Sequence, residues 1–232
     1  MTSPVLNNSD VELILFDLGG VLIELTGVGK MIEWSTPALT AEGMWRKWLS
    51  SPAVRDFESG RSDTYSFATG VIEEFGLPVK TQTFLDEFLK WPKGAFPGVC
   101  TLLNQLCQTH QLGILSNTNA LHWERFTGEM EFMAFFDYRF ASHLTGRLKP
   151  DRETFHYVAD RTGIDPGRIL FFDDNQVNVN GARAAGMAAY RANGPEEVMR
   201  LLGLAPSAPS LPADCQPHQA DEVRQVSGHG EL

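Results

Sequence analysis

Residues 12–21 read ELILFDLGGV. A short apolar run ends at an acidic residue, Asp17, and two glycines follow. A run this short and this continuously apolar suits a strand covered on both faces, not one with a wet side. Four later runs repeat the pattern: QLGILS (111–116), DYRFAS (137–142), RILFFD (168–173) and MAAYR (187–191). Helical spacing fills most of the intervals. Val99, Leu102, Leu103 and Leu106 recur at that spacing in 98–110, and Phe155, Val158 and Ala159 do so in 152–163. The second of these segments closes on Gly163, and an alanine-rich stretch at 178–186 closes on Gly186, a usual helix stop. Strands alternating with helices imply an α/β fold with a mostly parallel sheet.

One interval is too long for a single crossover. Residues 26–92 carry MWRKWL (44–49) and the segments 64–75 and 83–91, which mix apolar and charged residues as amphipathic helices do. The expected layout is therefore a core of residues 10–26 and 93–204 and an all-helical insertion at 27–92. Gly27, Gly29 and the segment 92–97 are read as its hinges. Trp34, Trp45, Trp48 and Trp91 are read as packing inside the insertion or against the core. Beyond Leu204 the chain turns rich in Pro, Ser and Ala, and residues 205–232 are expected to be a disordered tail.

Composition narrows the function. The 232 residues are 43% hydrophobic, enough for a real core, and carry a formal net charge of −10. That balance argues against nucleic acid or an anionic membrane surface as partner. It leaves room for an anionic small substrate, because a bound cation reverses the local field. The three cysteines, Cys100, Cys107 and Cys215, do not look like a disulfide framework. With no basic, apolar leader in MTSPVLNNSD, the expected location is the cytoplasm.

Ligands of open α/β sheets bind beyond the carboxyl ends of the strands. Asp17 ends the first run, Ser116 and Asn117 the second, and Asp173 and Asp174 the fourth, while Lys149 follows the third. Each alone reads as a cap, a turn or a solvated loop. Together they suit phosphoryl transfer. Carboxylates can hold Mg²⁺ through oxygen. A hydroxyl and a lysine can bind and neutralise phosphate oxygens. Asp17 can attack phosphorus.

The strings FDLGGVL (16–22), LSNTN (115–119), RLKPD (147–151) and FFDDN (171–175), in this order, resemble the four signature motifs of the haloacid dehalogenase superfamily. The resemblance implies a Rossmann-like parallel sheet of order 5-4-1-2-3 with a helical cap. It implies a Mg²⁺-dependent phosphatase of a small phosphorylated metabolite, acting through an aspartyl phosphate at Asp17. Asp17, Gly19 (through its carbonyl), Asp173 and Asp174 would be metal ligands, with Asp174 favoured over Asp173. Ser116, Asn117 and Lys149 would bind phosphate, and Arg61, in the ESGR stretch 58–61, would contact substrate. The chain departs from the family at Gly19, where phosphatases usually carry a second Asp as acid–base. A metal-held water, Asn119 or His122 could replace it. A subgroup acting on glucose 1-phosphate resembles this chain in its Asp-x-Gly start and in LSNTN followed by Leu121-His122, which points to a sugar phosphate. The alternatives are a non-catalytic phosphometabolite binder and, further off, a 2-haloacid dehalogenase.

Overall fold

The computed structural model describes residues 10–35, 40–204 and 224–225. Its strands are β1 (Leu13–Phe16), β2 (Ile23–Leu25), β3 (Pro92–Ala95), β4 (Gln111–Ser116), β5 (Tyr138–Ala141), β6 (Ile169–Asp173), β7 (Ala188–Arg191) and β8 (Arg224–Gln225). The main sheet runs β7-β6-β1-β4-β5-β8, all parallel. Counting only the five strands read from the sequence, that order is 5-4-1-2-3. The sixth strand, β8, was not expected: two residues of the 205–232 stretch pair with Tyr138 and Arg139. The rest of that stretch lies outside the described residues, so the expected tail is otherwise untouched.

The strands are apolar throughout because both faces are covered. Ile14, Phe16, Leu112, Ile114, Leu170 and Phe172 point to one side. There α6 (Val99–Leu106), α7 (Ala120–Glu129) and α11 (Gly194–Leu202) cover them. Leu13, Leu15, Leu115, Ile169 and Phe171 point to the other, under α9 (Arg152–Thr162) and α10 (Gln176–Ala184). Between β5 and α9 stands a single-turn helix, α8 (Ser142–Thr145).

Residues 28–88 form five helices: α1 (Val28–Trp34), α2 (Ala41–Ser50), α3 (Pro52–Glu58), α4 (Thr64–Phe75) and α5 (Thr81–Phe88). Their apolar faces close on a separate cluster that includes Trp48, Phe57, Phe67, Phe88 and Trp91. Phe57 stacks on Phe67 at 4.2 Å between ring centroids, and Trp48 meets Trp91 at 4.7 Å. Trp34 and Trp45 pack at the margin of the same cluster.

The expected hinges are a correction. Residues 92–95 are not a loose connection but β3, which pairs antiparallel with β2. The Thr26 amide donates to the Trp91 carbonyl at 3.0 Å, and Gly27 lies against the Trp91 ring. A two-stranded stem, not a pair of flexible linkers, joins the helices to the sheet. Cys100 is a second correction, since it is disulfide-bonded. Cys107 is a free, partly buried thiol. Among the described residues, no helix is long and apolar enough to cross a membrane.

Candidate active site

Asp17 stands one residue past β1, where the Asp17 amide still donates to the Phe172 carbonyl at 2.9 Å. The chain then turns sharply. The Leu22 and Ile23 amides both donate to the Leu18 carbonyl, and Gly20 adopts φ +75°, a conformation natural to glycine. A Cβ on Gly20 would lie 2.4 Å from Asp174 Oδ2, so the glycine also lets the two acidic strand ends approach. Asp17 is 9% exposed, and its Oδ1 accepts from Leu18 N–H at 2.7 Å.

Lys149 reaches into the same spot. Its ammonium lies 2.9 Å from Asp17 Oδ1 and 2.7 Å from Asp173 Oδ2, with the lysine only 2% exposed. Burial alone would push its pKa down, but Asp17 and Asp173 outweigh that and hold it above the usual lysine range. Burial lifts Asp17 to about 8, with Asp173 and Asp174 adding to the rise and Lys149 opposing it. Asp174 rises to about 6, first through burial and then through Asp173. Oxygens of Asp17, Asp173 and Asp174 all lie within 4.8 Å of one another. Three carboxylates thus face one ammonium. Fully ionised, they leave two negative charges uncompensated, which a divalent cation on oxygen ligands would balance.

Three sequence expectations change in detail. Asp173 is fully buried, and its two oxygens accept from Lys149, from Asn178 Nδ2 (3.0 and 3.1 Å) and from the Asn175 amide (2.8 Å). Those bonds make it the anchor of Lys149. Asn117 turns its side chain away from phosphate duty. Its Oδ1 accepts from the Lys149 amide and its Nδ2 donates to the Lys149 carbonyl, both at 2.9 Å. It fixes the backbone from which the lysine projects. Arg61 does not enter the cluster. Its guanidinium gives two hydrogen bonds to Asp56 Oδ1, at 3.0 and 2.8 Å, and its side chain is 57% exposed. Ser116, at the end of β4, is buried beside the cluster strand.

The stand-ins for the absent acid–base residue are also placed. Asn119 caps α7, its Oδ1 accepting from the His122 amide at 3.1 Å. His122 is packed, not poised. Its ring stacks on Phe88 at 4.3 Å, Nε2 donates to the Phe88 carbonyl at 2.9 Å, and burial pushes its pKa down to about 4. At position 19 itself, the nearest neighbour is the end of the Leu25 side chain, which is 39% exposed. A Cβ there would lie 2.5 Å from Leu25 Cδ1.

Two residues that the sequence reading passed over matter here. Ser142 Oγ accepts from the Thr118 amide at 2.9 Å and donates to the Glu58 carbonyl at 2.5 Å, so one hydroxyl joins the loop after β4 to the helical insertion. Glu58 itself is partly buried at the end of α3. Burial lifts its pKa to about 7 against the pull of Lys149 and Arg55. The signal for α3 was present: Ser51 followed by Pro52 is a helix start, with the serine as cap and proline in the first turn.

The fold is a parallel α/β sheet with an acid–lysine cluster at its carboxyl edge and a helical insertion beside it. The chain belongs to the haloacid dehalogenase-like hydrolase family, whose model matches residues 11–186. It is 26% identical to a phosphatase of Mycobacterium tuberculosis, MT3486, over 78% of this chain and 86% of that protein. It is 33% identical to drimenol cyclase drtB of Aspergillus calidoustus over 83% of this chain, which spans only 36% of that fungal protein. Among solved structures it is similar to the family enzyme bt-2542 of Bacteroides thetaiotaomicron in complex with magnesium and inorganic phosphate. The two share 25% identity and a TM-score of 0.64, over 78% of this chain and 93% of that one.

Proposed function

We propose that the protein is a Mg²⁺-dependent phosphatase of a small phosphorylated metabolite, with a sugar phosphate as the class to test first. One observation carries the reading: two buried carboxylates and a third, partly buried one converge with a single lysine, a set short of positive charge and rich in oxygen donors. Asp17 and Asp174, with the carbonyl of Gly19, would hold the cation. When bound, it offsets the charge of a phosphate brought among carboxylates. Ser116, buried at the end of β4, would donate to a phosphate oxygen, and Lys149 would neutralise charge that develops on the transferred group. Asp17 attacks phosphorus, and the resulting aspartyl phosphate is hydrolysed by water. The similarity to a mycobacterial phosphatase and to an enzyme that holds magnesium and phosphate supports this reading. In it, residues 27–92 act as a cap over a core of 10–26 and 93–204.

The same cluster counts against dehalogenation. A carboxylate substrate would meet three acidic groups and one lysine. The test is phosphate release from a panel of phosphorylated metabolites, with Mg²⁺ and with chelator, for the native chain beside Asp17→Asn. Release that needs both the metal and Asp17 is the expected result. No release from any member overturns the phosphatase and favours a phosphometabolite binder that lost its acid–base group at Gly19.

A further inference from the structure

A phosphatase at this site has one chemical need that the cluster does not meet. The alkoxide expelled from phosphorus is strongly basic, and a proton delivered to it in the transition state is worth about 10²–10⁴-fold. Gly19 has no side chain, and its nearest neighbour there is the apolar end of Leu25. Asp173 is saturated, Lys149 is tied to two carboxylates, and His122 is bonded to Phe88. Asn119 is a helix cap and carries no acidic proton.

One carboxyl approaches the cluster from the insertion, near enough to feel the charge of Lys149. Glu58 is the last residue of α3, and three contacts press that end of the helix onto the core around the site. Ser142 Oγ binds the Glu58 carbonyl while also holding the Thr118 amide, two residues past Ser116. Gly60 lies so close to the core that a Cβ on it would stand 2.4 Å from the His143 carbonyl oxygen. Arg55 reaches Asp151, two residues past Lys149, at 3.7 Å. The segment 55–60 therefore lies across the loops that carry Ser116 and Lys149. The charged groups facing Glu58 are Arg55 on its own helix and Lys149 from the core. Nearby Asp56 is engaged by Arg61 and Asp151 by Arg55. His143, on α8, sets its ring edge-on to Trp123, and burial pushes its pKa down, which makes it a poor donor near neutrality.

We propose that Glu58, carried by the helical insertion, is the general acid–base group of this site and takes the place left empty at Gly19. The proposal rests on the phosphatase reading above. In the first step an Asp17 oxygen bonds to phosphorus and the ester P–O bond breaks. Its electron pair goes to the ester oxygen, which takes the Glu58 proton and leaves as the alcohol. In the second step water bonds to the same phosphorus and gives its proton to the Glu58 carboxylate. The bond from phosphorus to Asp17 breaks, its electrons return to the Asp17 carboxylate, and inorganic phosphate leaves. The lift of Glu58 toward neutrality by burial keeps a useful fraction protonated at working pH.

The test compares two esters in the presence of Mg²⁺: an alkyl phosphate, whose leaving group needs a proton, and p-nitrophenyl phosphate, whose leaving group does not. kcat/KM reports the first step for both. Glu58→Gln is expected to lower kcat/KM for the alkyl ester by about 10²–10³-fold, and for the aryl ester by at least tenfold less. The basic limb of the alkyl pH profile should vanish with it, and Glu58→Asp should recover part of the loss. Equal losses on both esters would show a merely structural role and overturn the proposal while leaving the phosphatase standing. So would an unchanged alkyl rate, or a native chain that cleaves only the aryl ester, because no proton donor is then at work. A native chain silent on both esters overturns the phosphatase reading and this role together.

Discussion

The two sides of the site are built differently. On the sheet side, Lys149 and Asp173 are each held several times over. Lys149 has its ammonium between Asp17 and Asp173 and its peptide clamped by both ends of Asn117, and Asp173 is itself fixed by Asn178 and the Asn175 amide. On the insertion side, the end of α3 rests on one serine hydroxyl, one close glycine and one ion pair at 3.7 Å. The sheet side is thus organised before substrate arrives, as electrostatic stabilisation requires. The end of α3 thus has fewer ties than the lysine, although α5 is fixed to α7 through the bond and stack between His122 and Phe88.

Changes on each side should therefore fail in different ways. The largest effect is expected from Asp17→Asn, which removes the attacking group. Steady-state phosphate release should fall by roughly 10⁴-fold or more, with the circular dichroism spectrum unchanged. Next comes Lys149→Met. It should lower kcat by about 10²–10³-fold. It also strips Asp173 of its partner inside the core, so denaturant unfolding should show a loss of about 3–5 kcal/mol. A stable Met variant would mean that the sheet side is less tightly determined than its hydrogen bonds suggest.

Gly60→Ala probes the other side. The new Cβ would meet the His143 carbonyl, and the φ of +73° disfavours any side chain, at a cost of about 1–3 kcal/mol. The expected result is a roughly tenfold loss of kcat/KM with little change in the melting of the sheet core. Gly29→Ala, with nothing within 4 Å of its Cβ, should leave both unchanged. Equal effects of the two would erase the contrast.

The smallest effect is a pH dependence of stability in metal-depleted protein. Asp17 and Asp174 bind protons more tightly folded than unfolded, with pKa values near 8 and 6 against an ordinary 3.8. Between those limits the folded chain holds more protons than the unfolded one, so stability is full at about pH 4 and falls as pH rises to about 8. Melting temperature with chelator should decline across that window. Added Mg²⁺ should raise it most at the alkaline end, where both carboxylates are free to bind. A metal-free melting temperature that climbs over the same range would show that the cluster is not strained by its own charge.

The sequence reading succeeded where local chemistry decides structure. β4 falls on 111–116 and α4 on 64–75, residue for residue, because apolar continuity and a capping Asp63 are visible in the chain. Asp17, Asp173 and Asp174 were legible because each sits at or just past a strand end, and Lys149, eight residues beyond β5, because it stands in the RLKPD string. β2 and β3 were missed: three- and four-residue segments with a proline carry too little periodicity, and only their pairing makes them strands. Within the stretch 58–61 only Arg61 was singled out, and nothing local shows how either charged residue of that stretch is held. Arg61 turns to Asp56 five residues back, while Glu58 is set by Ser142, eighty-four positions away.

That same long reach has a kinetic side. The central strand β1 finds its partners only at Gln111 on one flank and Ile169 on the other. Closing such loops costs entropy before any ladder bond offsets it, and sheets paired over these separations assemble slowly. The helical insertion sits inside the first of those loops with its own aromatic cluster and an antiparallel stem that brings Ile23 to Ala95. Once it condenses from contacts made within itself, the chain between β1 and β4 is far shorter in effect than in residue count. The element that covers the site in the finished protein thus also acts, during folding, as a clamp that brings the first two sheet strands within reach of each other.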